Sequence, residues 1–252
     1  MGPRIASASS PQLLIKLALA TISNSGFDLA FGSPALKPGR KQMTYEAKNY
    51  DDLKGGTLVG FSDSQLEMHF TLYKGYVAKL NEIETKLAAA DNTKPNYSFN
   101  EFSELKRREA VAFNGSFLHE LYFENLGANA SVTPKLKQAM DAQGGQERIL
   151  ADLKATALGG PGWALLTFNR RDARLHSYFV AEHHIGLPVD QDLLLVLDSW
   201  EHAFMVDFGI KRPDYINAFL NNIKWSEVSK RFTRSDANCV GEVGAAALGQ
   251  LS

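Results

Sequence analysis

Two long helical stretches, separated by a short Pro-containing loop, constrain this chain more than any other feature. Across residues 64–90, Leu66, Phe70, Tyr73, Val77, Leu80, Ile83 and Leu87 recur at intervals of three and four, the spacing that lines one face of an α-helix. Ser62 and Ser64 both suit its N-cap, because a serine hydroxyl accepts from the N–H groups left free in a first turn. Asp91-Asn-Thr-Lys-Pro-Asn96 closes the helix. A second helix is expected over residues 99–125, stopping near Gly127, and its strip from Val111 to Phe123 is apolar almost all round, which predicts burial. Helices joined in this way fold back into an antiparallel hairpin.

The pattern then changes. Thr133-Pro134 reads as a helix start, with threonine as cap and proline at the first helical position, and one helix is expected from there to about Ala157. Gly144-Gly145 within it is a turn signal only. Gly159-Gly-Pro-Gly162 ends it. Trp163–Phe168, a polar turn at Asn169-Arg-Arg-Asp172 and Arg174–Val180 read as a β-hairpin. The continuous apolar run Asp192-Leu-Leu-Leu-Val-Leu-Asp198 suits a third, buried strand. From Pro213 the helical spacing returns at Tyr215, Phe219, Leu220 and Trp225. The expected fold is α+β: an N-terminal antiparallel helical hairpin, then an α/β domain with a small three-stranded antiparallel sheet.

The two ends differ from this middle. Residues 1–27 hold no Asp or Glu, are rich in Ser and Ala, and include Leu13-Leu-Ile-Lys-Leu-Ala-Leu-Ala20. Lys16 interrupts that run, whereas the apolar region of a secretory signal stays uncharged over about 7–15 residues. Ser33-Pro-Ala-Leu-Lys-Pro-Gly-Arg-Lys-Gln42 reads as a linker. The expected division is residues 1–44 as leader or disordered segment, 45–130 as hairpin domain, 131–234 as α/β domain and 235–252 as loose tail. Cytoplasmic residence is the expectation, with export or organelle targeting by residues 1–27 as the alternative.

Composition narrows the chemistry. Lys and Arg number 27 against 28 Asp and Glu in 252 residues, without the basic excess of a nucleic-acid binder. No apolar run approaches the roughly 18 residues of a membrane span. The single cysteine, Cys239, excludes an intrachain disulfide framework and a Cys-rich metal module. A metal here would be held by nitrogen and oxygen.

Six histidines are present, at 69, 119, 176, 183, 184 and 202. His69 falls on the apolar face of the first helix and His119 in the most apolar part of the second. Buried imidazoles need hydrogen-bond partners or a metal. Asp198 ends the buried strand, and His202 follows four residues later. Three imidazoles and a carboxylate suit iron, manganese or zinc. A buried His–Asp hydrogen-bond network is the alternative.

Asp198-Ser-Trp-Glu-His-Ala203 resembles the Asp-x-Trp-Glu-His-Ala signature of the iron/manganese superoxide dismutases. Phe113-Asn-Gly-Ser-Phe-Leu-His119-Glu-Leu-Tyr-Phe-Glu-Asn-Leu126 is similar to the family's second-helix segment, and Gly162-Trp163 to its strand start. Lys211-Arg-Pro-Asp-Tyr215 and Lys224-Trp-Ser-Glu-Val-Ser-Lys-Arg231 resemble its C-terminal helices. The similarity runs over about residues 45–232.

The resemblance implies one iron or manganese ion per chain, with His69, His119, Asp198 and His202 as ligands. It implies superoxide as substrate and dioxygen and hydrogen peroxide as products. His183 stands where the family places a Gln or His bonded to metal-coordinated solvent, with His184 as the neighbouring candidate. Trp163, Trp200, Tyr122 and Phe123 match the aromatic shell, and Tyr76 the gateway tyrosine, one residue closer to His69 than is usual. Seven residues at about 100° each still return Tyr76 to the face of His69. Tyr73 and Met205 replace the histidine and tyrosine that usually meet across subunits; since a thioether is a weak acceptor, Tyr73 needs another partner. Glu201 implies a bridge to the partner subunit's His202, hence a homodimer or tetramer. Arg212 and Lys74 are candidates for steering the anion. A non-catalytic metal-binding or structural protein of the same fold is the alternative function; retention of all four ligand positions favours the enzyme.

Overall fold

A computed structural model of the chain describes residues 44–128 and 131–239. The expectations for residues 1–43 and 240–252 lie outside them. Among the described residues, seven α-helices and three strands follow in order: α1 (Asp63–Ala89), α2 (Glu101–Glu124), α3 (Pro134–Asp141), α4 (Gln146–Ala157), β1 (Trp163–Asn169), β2 (Arg174–Val180), β3 (Gln191–Asp198), α5 (Met205–Phe208), α6 (Arg212–Asn221) and α7 (Trp225–Cys239). No helix among the described residues is long and apolar enough to cross a membrane.

Ser62 caps α1, its hydroxyl accepting from the Gln65 N–H at 3.1 Å, and the helix buries Leu66, His69, Phe70, Tyr73, Val77, Leu80 and Ile83 on the predicted face. Asn100 does the same for α2, accepting from the Ser103 N–H. The strip in α2 is less enclosed than its composition predicts: Phe113 is 42% exposed, and only the side facing α1 and the sheet is buried. Periodicity, not local hydrophobicity, selects the buried face.

The helix expected from Thr133 to Ala157 is two helices. Gly144 and Gly145 take φ of +97° and +90°, a region open to glycine at little cost, and the chain breaks there between α3 and α4. Thr133 stands at the N-cap of α3 without a side-chain capping bond. Its N–H donates instead to the Ser229 hydroxyl. At the other end, α7 runs on to Cys239, past the expected start of a tail at 235; the Ser235 hydroxyl, itself buried, donates back to the Arg231 carbonyl at 3.0 Å.

The sheet has strand order β2-β1-β3, with both pairings antiparallel. β1 lies in the middle, buried from Trp163 to Phe168. The register sets Asp198 opposite Trp163, so the last residue of β3 and the first of β1 meet at one end of the sheet. One continuous core joins this sheet to the lower half of the helical hairpin, while Leu80, Ile83 and Ala112 form a separate small cluster further along it.

Candidate metal centre

Four side chains from four elements of the fold converge. His69 comes from α1, His119 from α2, Asp198 from the end of β3, and His202 from the 3₁₀ turn Glu201–Ala203 that follows. Asp198 Oδ2 lies 3.0 Å from His202 Nε2, 3.1 Å from His69 Nε2 and 3.6 Å from His119 Nε2. Nitrogen and oxygen ligand atoms of all four lie within 4.8 Å of one another. His69, His119 and Asp198 are buried, and the side chain of His202 is 30% exposed.

His119, Asp198 and the His202 turn are held from behind. The His119 Nδ1–H donates to the Gly115 carbonyl one turn back, at 2.5 Å. That assigns the proton to Nδ1 and leaves a lone pair on Nε2. Nε2 is buried without a hydrogen-bond partner among the described residues. A buried lone pair beside a carboxylate and two further imidazoles is the donor set a divalent or trivalent cation satisfies. The residues fit a metal.

Asp198 Oδ1 accepts from the Trp200 N–H at 2.9 Å, and its backbone carbonyl accepts from the Tyr215 hydroxyl at 2.6 Å. Gln65 bridges α1 to the His202 turn: its Nε2 donates to the His202 carbonyl at 2.7 Å, and its Oε1 accepts from the Val206 N–H. Sequence reasoning missed Gln65, which is 1% exposed. A glutamine in the first turn of a helix reads as solvent-facing, and no local pattern contradicts that. Tyr215 was visible as one position of an apolar helix face and as the end of the Lys211–Tyr215 motif, neither of which assigns its hydroxyl to the Asp198 carbonyl.

Electrostatics follow from this packing. Burial raises the Asp198 carboxyl, but His202 and His69 outweigh it and hold the group far below the usual carboxylate range. Burial lowers His69, and burial with the nearby His69 lowers His119 to about 3. For His202 the Asp198 charge overcomes burial and raises it. Two imidazoles are thus kept neutral, the state that ligates metal.

A second layer closes the cluster. Trp163 Nε1–H donates to His183 Nδ1 at 3.0 Å, so the His183 proton resides on Nε2, which donates to the Tyr76 hydroxyl at 2.6 Å. His183 is 5% exposed and its ring lies 5.9 Å from His119, whereas His184 is exposed. Tyr76 stacks on His119 at 5.4 Å, and Gly115 permits this: a Cβ there would come within 2.5 Å of the Tyr76 ring. Tyr122 and Phe123 flank His69 at 5.0 and 4.9 Å, Trp163 meets His119 at 5.0 Å, and Trp200 stacks on His202.

Other predicted site residues are placed elsewhere. The Tyr73 hydroxyl turns from the cluster to Glu120 and Lys48. It has partners within its own chain. Met205 is 48% exposed. Glu201 pairs with Arg212 at 3.3 Å, and the Arg212 guanidinium covers the Phe204 ring. Lys74 is exposed, and His176 pairs with Asp172 on the β1–β2 hairpin.

Comparisons with known proteins converge on the same region. Residues 132–231 match the family model described as iron/manganese superoxide dismutases, C-terminal domain. The chain is 40% identical over 192 residues to a protein of Aquifex aeolicus named superoxide dismutase [Fe], covering 73% of this chain and 90% of that one. It is 37% identical over 200 residues to the superoxide dismutase [Fe] of Cupriavidus metallidurans, covering 75% and 97%. With the superoxide dismutase [Mn] of Mycobacterium lepraemurium it shares 30% over 183 residues, covering 69% and 86%.

Proposed function

Since the chain belongs to the iron/manganese superoxide dismutase family, we propose that it converts two superoxide anions and two protons to dioxygen and hydrogen peroxide at one iron or manganese ion held by His69, His119, Asp198 and His202. The observation that carries this reading is the buried, unpartnered His119 Nε2 facing the carboxylate that His69 and His202 share. When bound, the metal supplies one-electron chemistry by alternating between its +3 and +2 states. The chain's own residues hold the ligand atoms, exclude water and manage protons. The aromatic rings around His69 and His119 keep bulk solvent from the ligands. His183 Nε2–H is committed to Tyr76 Oη, so Tyr76 is free to offer its own proton outward; burial raises its pKa and keeps it protonated at neutral pH. Trp163 holds the His183 tautomer that makes this possible. Arg212 supports anion approach by its positive charge.

The test pairs metal content with inhibition of superoxide-driven dye reduction. Protein carrying one metal per chain is expected to inhibit. One metal per chain without inhibition would establish the non-catalytic alternative. His183→Ala is expected to keep its metal and lose most activity, with His184→Ala near wild type; the reverse would overturn the role given to His183.

A homodimer is part of the same proposal, Glu201 bonding the partner subunit's His202 in place of its present pairing with Arg212. Glu201→Ala is then expected to lower both mass by light scattering and metal retention. A variant that keeps both would remove the bridge. Cytoplasmic residence completes the reading; recovery of the protein from a membrane-bounded compartment would overturn it.

A further inference from the structure

Behind the ligands runs a second polar system that the proposed reaction does not use. Tyr73 lies one turn along α1 from His69, and Glu120 directly follows His119 on α2. The Tyr73 hydroxyl donates to Glu120 Oε1 at 2.9 Å, joining the two helices beside the two imidazoles. Lys48, from the segment preceding the hairpin, completes a triangle. Its backbone N–H donates to the Tyr73 oxygen at 2.9 Å, and its ammonium reaches Glu120 Oε2 at 2.6 Å and Glu124 Oε1 at 2.8 Å. Tyr73 is fully buried and Glu120 is 6% exposed. Both side chains thus have their hydrogen-bonding capacity met inside one protomer.

The system continues to the other half of the fold. Glu124 Oε2 accepts from Arg231 at 2.9 Å, and Arg231, 2% exposed, donates to Asn125 Oδ1 and to the Leu194 carbonyl of β3. Asn125 Oδ1 also accepts from the Val196 N–H, two residues before Asp198. One chain of hydrogen bonds therefore links the helices of His69 and His119 to the strand of Asp198. An isolated surface ion pair contributes little, but members of a buried, satisfied network hold one another in place.

We propose that Lys48, Glu120 and Tyr73 are positioning residues for the metal centre, a strut that sets the spacing of His69 and His119 from within one protomer. The inference rests on the reading of the four-residue cluster as a metal site. It assigns a task to Lys48, far from that cluster in sequence and in contact with none of its members. Groups bonded directly to metal ligands change affinity about 10–100-fold when removed, and a strut one step further back is expected to act at the lower end of that range.

The experiment compares Tyr73→Phe, Lys48→Met and Lys48→Arg with Leu80→Ala, each loaded with iron. Leu80 is fully buried on the same helix but belongs to the separate cluster with Ile83 and Ala112, so its loss costs stability without touching the strut. The readouts are the rate of iron loss to excess chelator, the rhombicity of the ferric electron paramagnetic resonance spectrum, and Tm. Tyr73→Phe and Lys48→Met are expected to speed iron loss about tenfold and to alter the rhombicity. Lys48→Arg is expected to restore both, and Leu80→Ala to lower Tm with the spectrum unchanged. Strut variants that match wild type, or that change only as Leu80→Ala does, would overturn the strut while leaving the metal reading intact. A wild-type chain that takes up neither iron nor manganese would overturn both. Should Tyr73→Phe fail to fold, the Lys48 pair decides, since that side chain is 52% exposed.

Discussion

The helical hairpin and the sheet half each contribute two of the four converging side chains, and they hold them by different means. His69 and His119 project from the sides of helices whose periodicity already turns them inward, and His119 is oriented by a carbonyl of its own helix, at Gly115. Asp198 and His202 sit where regular structure ends. The Asp198 carboxylate accepts from the nearby Trp200 N–H, but the backbone at both positions is fixed by distant residues: Tyr215 on the Asp198 carbonyl and Gln65 on the His202 carbonyl. The cores differ too. Five consecutive residues of β3 are buried up to Asp198, while α1 buries one face along 27 residues and leaves the rest to water. A helix can therefore present a ligand through local geometry, whereas a strand end depends on tertiary hydrogen bonds.

Removing one ligand from each half is expected to give the largest effect and the sharpest parity. Asp198→Ala and His119→Ala should both abolish stoichiometric iron or manganese binding, measured by elemental analysis, while circular dichroism retains its helical signal. Retention of one metal per chain by either variant would remove that residue from the site and break the parity between the halves.

Core truncation should separate the halves by stability. Leu195→Ala, at a fully buried β3 position, is expected to cost about 3–4 kcal/mol, within the range of deeply buried leucines. Ile83→Ala, in the small cluster of the hairpin, should cost about 2 kcal/mol, because its surroundings can collapse onto the gap. Urea unfolding monitored by fluorescence measures both. Equal losses would show that the hairpin's outer cluster is as tightly packed as the sheet.

The smallest effect concerns mild acid and the metal-free protein. His119 is lowered from 6.5 to about 3 and His69 is also lowered, in both cases by burial first. The unfolded chain therefore takes up protons that the folded chain refuses. Stability from these groups is present above the unfolded value of 6.5 and is lost as pH falls toward the folded values. His202, raised by Asp198, has the opposite sign: its contribution is full below 6.5 and fades as pH rises through its raised value. His183 is lowered by burial as well, so with three groups against one, Tm of the metal-free protein should fall between pH 7 and pH 5, and His119→Gln should flatten that slope. A slope unchanged by His119→Gln would mean that the helix-borne imidazole is not the neutral, buried group described above.

Much of this molecule was readable in its residues. Spacing at three and four placed the first helix of the hairpin and turned His69 inward, and an apolar strip ending near Gly127 placed the second. A continuous apolar run gave β3, and the polar residue ending it marked Asp198. The Asp-x-Trp-Glu-His pattern then joined Asp198 to His202 and linked the chain to its family. These features are local, carried by period, by apolar runs and by short spacings, so sequence alone determines them. Tertiary structure decided the rest. It chose which face of the apolar strip in α2 is buried, split the helix at Gly144-Gly145, and carried α7 beyond residue 235. It also separated His183 from His184, gave Tyr73 its partners in Glu120 and Lys48, and brought Gln65 to the His202 carbonyl. The outcomes at His183, Tyr73 and Gln65 each depend on a group from another part of the chain, and a hydrogen bond between residues far apart in sequence leaves no mark on the spacing near either one.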